Sequence, residues 1–304
     1  SDPSGNVRAG RKNLIINGGM QVWQRATSAS SIGYTSVDRW SYYAGSSLAI
    51  SRSTDVPTGF QYATSVGGGG SDSGLTQKIE ASSCKQLVGA TITVSFYLKQ
   101  TTGAGTDKIA VALARANSED DFGGTTSIST QTVSTTTSYA RYTCTFTSLP
   151  TEAANGLQLS IKSSGAGSVV YLITGVQLET GSVATDFEHR SYGEELALCQ
   201  RYGLRVVGGS GGGRRIGGWG NGTSALIMID SPVTFRAIPS LITTNRGKLL
   251  REAISWHVVT SLSINSDSGL NNVLLTAGCS SSGAAQGQVA YLGQVTDIFL
   301  DAEL

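Results

Sequence analysis

Charge is scarce in this sequence. Only 14% of its 304 residues are Asp, Glu, Lys or Arg, against about 25% in an ordinary soluble domain, and 22 basic residues almost cancel 21 acidic ones. A net charge of +1 supplies no long-range field for a polyanion, which argues against nonspecific nucleic-acid binding. Histidine is scarcer still. His189 and His257 are the only two, no Gly-x-Ser-x-Gly elbow or His-Glu-x-x-His occurs, and so no nucleophilic triad or zinc-protease site can be assembled. The four cysteines, Cys84, Cys144, Cys199 and Cys279, lie far apart with no Cys-x-x-Cys spacing, which excludes a zinc cluster. Two disulfides could join them in three ways, but a chain of this length buries a core without them. Cys84 and Cys144 also fall in strand-like runs, and buried free thiols are expected. No apolar run approaches the roughly 20 residues that cross a bilayer, a clear one being Ala225 to Ile229, so no membrane insertion is expected.

What the chain has in quantity is 41 Ser, 32 Thr and 39 Gly, a strand-and-turn composition. Period-two alternation is strongest in Thr91–Lys99, where Ile92, Val94, Phe96 and Leu98 share a face. It recurs in Ile109, Val111 and Leu113 against Ala110, Ala112 and Ala114, and in Tyr142, Cys144 and Phe146. Leu157, Leu159 and Ile161 repeat it, as do Val170, Leu172, Thr174, Val176 and Leu178. Gly/Ser/Thr turns separate these runs, and many strands with no intervening helical pattern predict an all-β antiparallel sandwich. Ser191-Tyr192-Gly193-Glu194 fits a capping box and opens a short linker helix over 191–203, with Leu196, Cys199 and Tyr202 on one side and Gly203 placed to end it. Strand-like runs resume at Ser224–Phe235, Ile254–Ile264, Leu270–Ala277 and Gln288–Val295. The expected order is therefore a polar remnant of an upstream region at 1–12, a sandwich at 13–190, the linker helix, and a smaller β tip domain at 204–304.

Between the helix and the second set of strands, nine of the fifteen residues Gly208–Gly222 are glycine. Neither Gly-x-Gly-x-x-Gly nor a Walker motif occurs there, and Gly247-Lys248 is followed by Leu249, so the nucleotide-binding reading of this loop fails. The segment instead offers Arg214, Arg215 and Trp219 on a permissive backbone, guanidinium groups for bidentate contacts and an indole for the apolar face of a sugar. With Trp256 these form the expected glycan-binding set. Trp23 and Trp40 read as core, with Trp40 and Tyr42 on one face and Tyr43 on the other. Glu119, Asp120 and Asp121 form the densest acidic cluster, read as a solvated or calcium-holding loop rather than a glycosidase pair.

Several segments together resemble a family of fibre and receptor-binding proteins of tailed bacteriophages that carry a carbohydrate-binding-module-like jelly roll. They are Asn13-Leu14-Ile15-Ile16-Asn17-Gly18-Gly19-Met20-Gln21-Val22-Trp23-Gln24-Arg25, Tyr34 and Asp38-Arg39-Trp40 at the start. Val176-Gln177-Leu178-Glu179-Thr180-Gly181, Ala184-Thr185-Asp186-Phe187-Glu188 and Cys199-Gln200-Arg201-Tyr202 are similar to the motifs closing the jelly roll. Pro232-Val233-Thr234-Phe235-Arg236-Ala237-Ile238-Pro239 and Asp301-Ala302-Glu303-Leu304 resemble the appended C-terminal region, with Phe235 where the family pattern has methionine. The resemblance implies a homotrimeric tail or neck fibre, assembled in the host cytoplasm and carried on the virion. Its missing N-terminal part would hold it to other virion proteins, and it would bind host surface polysaccharide without catalysis. It implies no cofactor and leaves a structural calcium open. The alternatives are a polysaccharide depolymerase and a purely structural fibre. The motifs themselves read as structural, with the ligand residues in loops.

Overall fold

The computed structural model describes residues 12–43, 46–69, 73–102, 108–164, 169–206, 216–221, 224–243, 248–251, 255–279, 289–293 and 298–304, with the side chains of 46–48, 68–69, 216–221, 243, 248–251, 255–258, 279 and 289–293 left aside. The chain divides into two compact units, Ser1–Glu195 with Leu304, and Leu196–Glu303.

The first unit begins with β1 (Ser28–Ala29), β2 (Ser41–Tyr43) and β3 (Ser46–Ser53). Then follow β4 (Ala63–Gly69), β5 (Gly74–Ile79), a single helical turn α1 (Ala81–Cys84), β6 (Ile92–Thr102), β7 (Lys108–Ser118), β8 (Asp121–Ser134), β9 (Ala140–Phe146), β10 (Leu157–Ser163) and β11 (Val169–Thr180). One sheet has the order β1-β3-β4-β11-β6-β9 and the other β2-β5-β10-β7-β8, all neighbours antiparallel. Strands β4 to β11 therefore wind as a jelly roll, β4-β11-β6-β9 facing β5-β10-β7-β8. The expected alternation is realised in three strands: Ile92, Val94, Phe96 and Leu98, Ile109, Val111 and Leu113, and Leu157, Leu159 and Ile161 all point into one core. In β11 it fails at first: Val169, Tyr171 and Ile173 join the core in place of Val170, Leu172 and Thr174, and only beyond a bulge do Val176 and Leu178 do so as expected. Trp40 and Tyr42 are fully buried while Tyr43 is exposed. Trp23 packs only partly buried against that core, and Cys84, Cys144 and Cys199 are buried free thiols.

A bulge in β11 ties the chain start to this sandwich. Thr174 pairs with Tyr97 but Gln177 with Ser95, and Gly175 takes the left-handed φ of 63° that such a kink requires. The kink turns the Val176 backbone outward, where its N–H donates to the Gly18 carbonyl at 2.9 Å and its carbonyl accepts from Asn13 Nδ2 at 3.2 Å.

Helix α2 (Tyr192–Gln200) follows, its start closed by the predicted reciprocal cap: Ser191 N donates to Glu194 Oε2 and Glu194 N to Ser191 Oγ, both at 3.3 Å. Gly203 does not end the helix, as the sequence suggested; it opens β12 (Gly203–Val206). The second unit continues with β13 (Ile216–Asn221), β14 (Ser224–Asp230), β15 (Ser240–Thr243), β16 (Lys248–Arg251), β17 (Ser255–Ile264), β18 (Asn272–Cys279), β19 (Val289–Gly293) and β20 (Ile298–Asp301). Six of these close into a barrel, β13-β14-β18-β17-β16-β19, and β12-β20-β15 form a separate sheet. Ala225, Ile227, Ile229, Val273, Leu275 and Ala277 supply its core, and closure removes the exposed edges that such short strands would otherwise present.

Candidate functional site in the first unit

The inward row of β7 ends in a charge. Ile109, Val111 and Leu113 face the core, and the next residue of that parity is Arg115, half-buried where the apolar filling stops. The neighbouring β8 carries one extra residue: Ala114 pairs with Ser127 but Leu113 with Ser129, leaving Ile128 as a bulge. Before it, even-numbered residues face inward with Arg115; after it, odd-numbered ones do, so Gln131 comes to sit beside Val111. From there Gln131 Nε2 donates to the Thr145 carbonyl of β9 and ties the two edge strands together.

Around this tie lies a groove of about 620 Å3, inside the range of about 300–1,000 Å3 usual for small-ligand sites. Its polar lining residues are Ser127, Ser129, Thr145, Thr147 and Ser148, which bear hydroxyls, with Gln131, Arg115 and Glu152. Ile128, Phe146 and Pro150 form the apolar part. Ser148, at φ 53°, turns the chain from β9 into the 3-10 turn Thr151–Asn155 that presents Glu152. Arg115 makes one long contact within the protein, Nη1 to the Ala116 carbonyl at 3.4 Å, and Glu152 has no partner among the described residues. The two do not pair with each other. This arrangement can donate to, accept from and bridge hydroxyl groups; it offers no nucleophile–base pair.

The residues singled out in the sequence are placed elsewhere. Arg214 and Arg215 lie outside the described residues. Trp219 is in barrel strand β13 and not in a loop, paired with Leu226 and Val289, and Trp256 pairs with Leu250. In the ring of six strands β13 and β17 stand three steps apart in either direction, so Trp219 and Trp256 are not on neighbouring strands. The acidic cluster is the tight β7–β8 turn. Glu119 pairs with Lys85 at 2.9 Å, Asp120 at φ 56° accepts from Ala81 N at 2.8 Å, and Asp121 accepts from Gly123 N at 2.9 Å. Among the described residues no group of three or more His, Cys, Asp or Glu converges as metal ligands.

The motifs of the first unit that carried the resemblance are tied together by hydrogen bonds. Gln177 Nε2 and Thr185 N both donate to Glu179 Oε1, at 2.8 and 2.9 Å, Glu188 N donates to Gln177 Oε1, and Glu188 Oε2 receives Asn13 N. Asn17 accepts from Gln21 N and Val22 N, and the Trp40 indole donates to its carbonyl. Asp38 accepts twice from Gln24, while Arg39 donates to the Lys78 carbonyl. These side chains latch the fold and are occupied in doing so.

No family model matches the chain, and no curated protein matches its sequence. Among solved structures it is similar to the C-terminal family 22 carbohydrate-binding module of Clostridium thermocellum Xyn10B, at 13% identity and TM-score 0.39 over 55% of this chain and 98% of that one. It is similar to TmCBM61 in complex with β-1,4-galactotriose, at 15% identity and TM-score 0.34 over 56% and 100%. The enzymatically active domain of bacteriophage CBA120 tailspike protein 4 aligns at 14% identity and TM-score 0.37 over 56% of this chain, which spans 21% of that protein. The jelly roll itself stands on the strand order.

Proposed function

We propose that this chain is the glycan-binding part of a tailed-bacteriophage fibre, acting without catalysis and as a homotrimer to attach the virion to host surface polysaccharide. The observation that carries the reading is the groove at the open side of the jelly roll, lined by hydroxyl, amide, guanidinium and carboxylate groups beside a small apolar wall. Sugars present alternating hydroxyls and C–H surface, and such a mixed lining matches both. The resemblance of the latch motifs to those of phage fibres supports the virion setting. Occupation of Glu119, Asp120 and Asp121 by turn contacts leaves the depolymerase alternative without a carboxylate pair in that loop. The test is competition: the isolated protein should block adsorption of virions carrying this fibre to their host cells in a dose-dependent way. Replacing Arg214 and Trp219 with Ala tells whether the barrel shares in attachment. Unchanged adsorption in the presence of excess protein would leave a fibre with no receptor site.

A further inference from the structure

Resting on the glycan-binding reading, we infer that the edge groove is a subsite for a neutral saccharide, held by hydrogen bonds to adjacent hydroxyls and not by ring stacking or ion pairing. Three features of the groove carry this. Arg115 and Glu152 line it with opposite charge, so it offers no net charge to a uronate, sialate or phosphate. A polyanion would gain from the guanidinium and lose to the carboxylate. The only aromatic ring in the lining, Phe146, is 3% exposed, so no π-face is open for a pyranose to stack on.

What remains is a set of complementary hydrogen-bonding groups. The guanidinium donates only, the carboxylate accepts only, and Gln131 keeps Oε1 after its amide donates to the Thr145 carbonyl. Arg115 and Glu152 line the same groove yet form no ion pair, so ligand hydroxyls that accept from the first and donate to the second would complete both. A hydroxyl can do both at once; a carboxylate or phosphate can only accept. A rigid diol that meets several of these groups at once would replace separate solvent contacts with one ligand.

The experiment is titration of the full chain with maltotriose, cellotriose, mannotriose and β-1,4-galactotriose against trigalacturonate and 3'-sialyllactose, read by calorimetry and by NMR of the Arg115 Nε–H and Gln131 side-chain amide signals. At least one neutral trisaccharide should bind, move those signals, and lose about 10- to 100-fold in affinity in Glu152→Gln, an isosteric change at an exposed turn, and in Arg115→Ala. Arg115→Lys should recover only part of the loss, because an ammonium lacks the planar fork. Preference for either acidic probe would overturn the assignment of class. Binding of a neutral probe that leaves the groove signals and both variants unaffected would place the saccharide elsewhere, overturning this inference while the glycan-binding reading stands. Failure of all six probes would also overturn it. If the protein still blocked adsorption in that case, the wider reading would survive, and if it did not, both would fall.

Discussion

Cys84 and Cys144 belong to the sandwich core, the first fully buried and the second 2% exposed, and both are free thiols. Burial penalises a thiolate, pushing the Cys84 thiol up to about 12 and the Cys144 thiol up to about 11 from an ordinary value of 9.0. The folded state therefore keeps both protons across a range in which the unfolded chain releases them. Their contribution is fully present below pH 9 and is lost as pH rises from there through 11 to 12, by at most about 1.4 kcal/mol per pH unit for Cys84. Tyr42, Tyr139 and Tyr171 are shifted upward by the same desolvation and steepen the loss above pH 10. Urea unfolding at pH 8 and pH 10.5 should show a lower midpoint at the higher pH, and Cys84→Ala should flatten the difference. In the native state at pH 8 both thiols should resist iodoacetamide and react only in denaturant, read by peptide mapping; labelling of Cys84 or Cys144 in the folded protein would contradict the burial on which this rests.

Residues 13–20 belong to no strand, yet they are fixed as firmly as one. Arg190 donates from Nη1 to the Ile15 carbonyl at 3.0 Å and to Glu195 Oε1 at 3.2 Å, and Glu195 in turn accepts from Asn17 N at 2.5 Å. The Arg190 and Glu195 side chains are only 3% and 4% exposed, so removing one leaves the other buried and unmatched. Arg190→Ala or Glu195→Ala should each cost about 3–5 kcal/mol, and the double change to Ala markedly less than the sum of the two, checked by a double-mutant cycle in chemical unfolding. A Cβ at Gly18 would fall inside the contact radius of the Val176 carbonyl oxygen, which is why this docking needs glycine there. The sequence announced β6, β7, β10 and β11 because one face of each is apolar. It did not announce β8, whose Thr, Ser and Gly residues at a sheet edge follow no apolar alternation and whose bulge changes the inward set midway. Arg115 was legible as a charge in the fourth inward place after Ile109, Val111 and Leu113; Glu152 was not, since its 3-10 turn has no periodic signature. Trp219 was misplaced for a related reason: a run rich in glycine has little strand propensity, and β13 gets its register from β14 and β19.

At the scale of the molecule, the proposed function raises the question of how a groove that works by hydrogen bonding would hold a particle to a cell. A neutral saccharide exchanging water for protein hydrogen bonds gains little per contact, because each bond formed replaces one to solvent. Nor does the near-zero net charge provide steering toward a surface. Repetition resolves this: in a homotrimer, the second and third grooves bind at an effective concentration set by the assembly, and avidity can exceed the single-site affinity by about 10²- to 10⁴-fold with no new contact. Two measurements taken together test the idea. Light scattering should give a molar mass near three times 31.5 kDa. The apparent affinity for a surface densely coated with the neutral trisaccharide that binds in solution should then exceed the solution value by that factor, and the gain should vanish as the coating is diluted below the spacing at which one assembly reaches two sugars. A monomer would show the same affinity on both, whatever the coating density. It would require attachment strength to come from the tight fit of one site, which a groove open on one side and lined by side chains such as the exposed Glu152 is poorly built to supply.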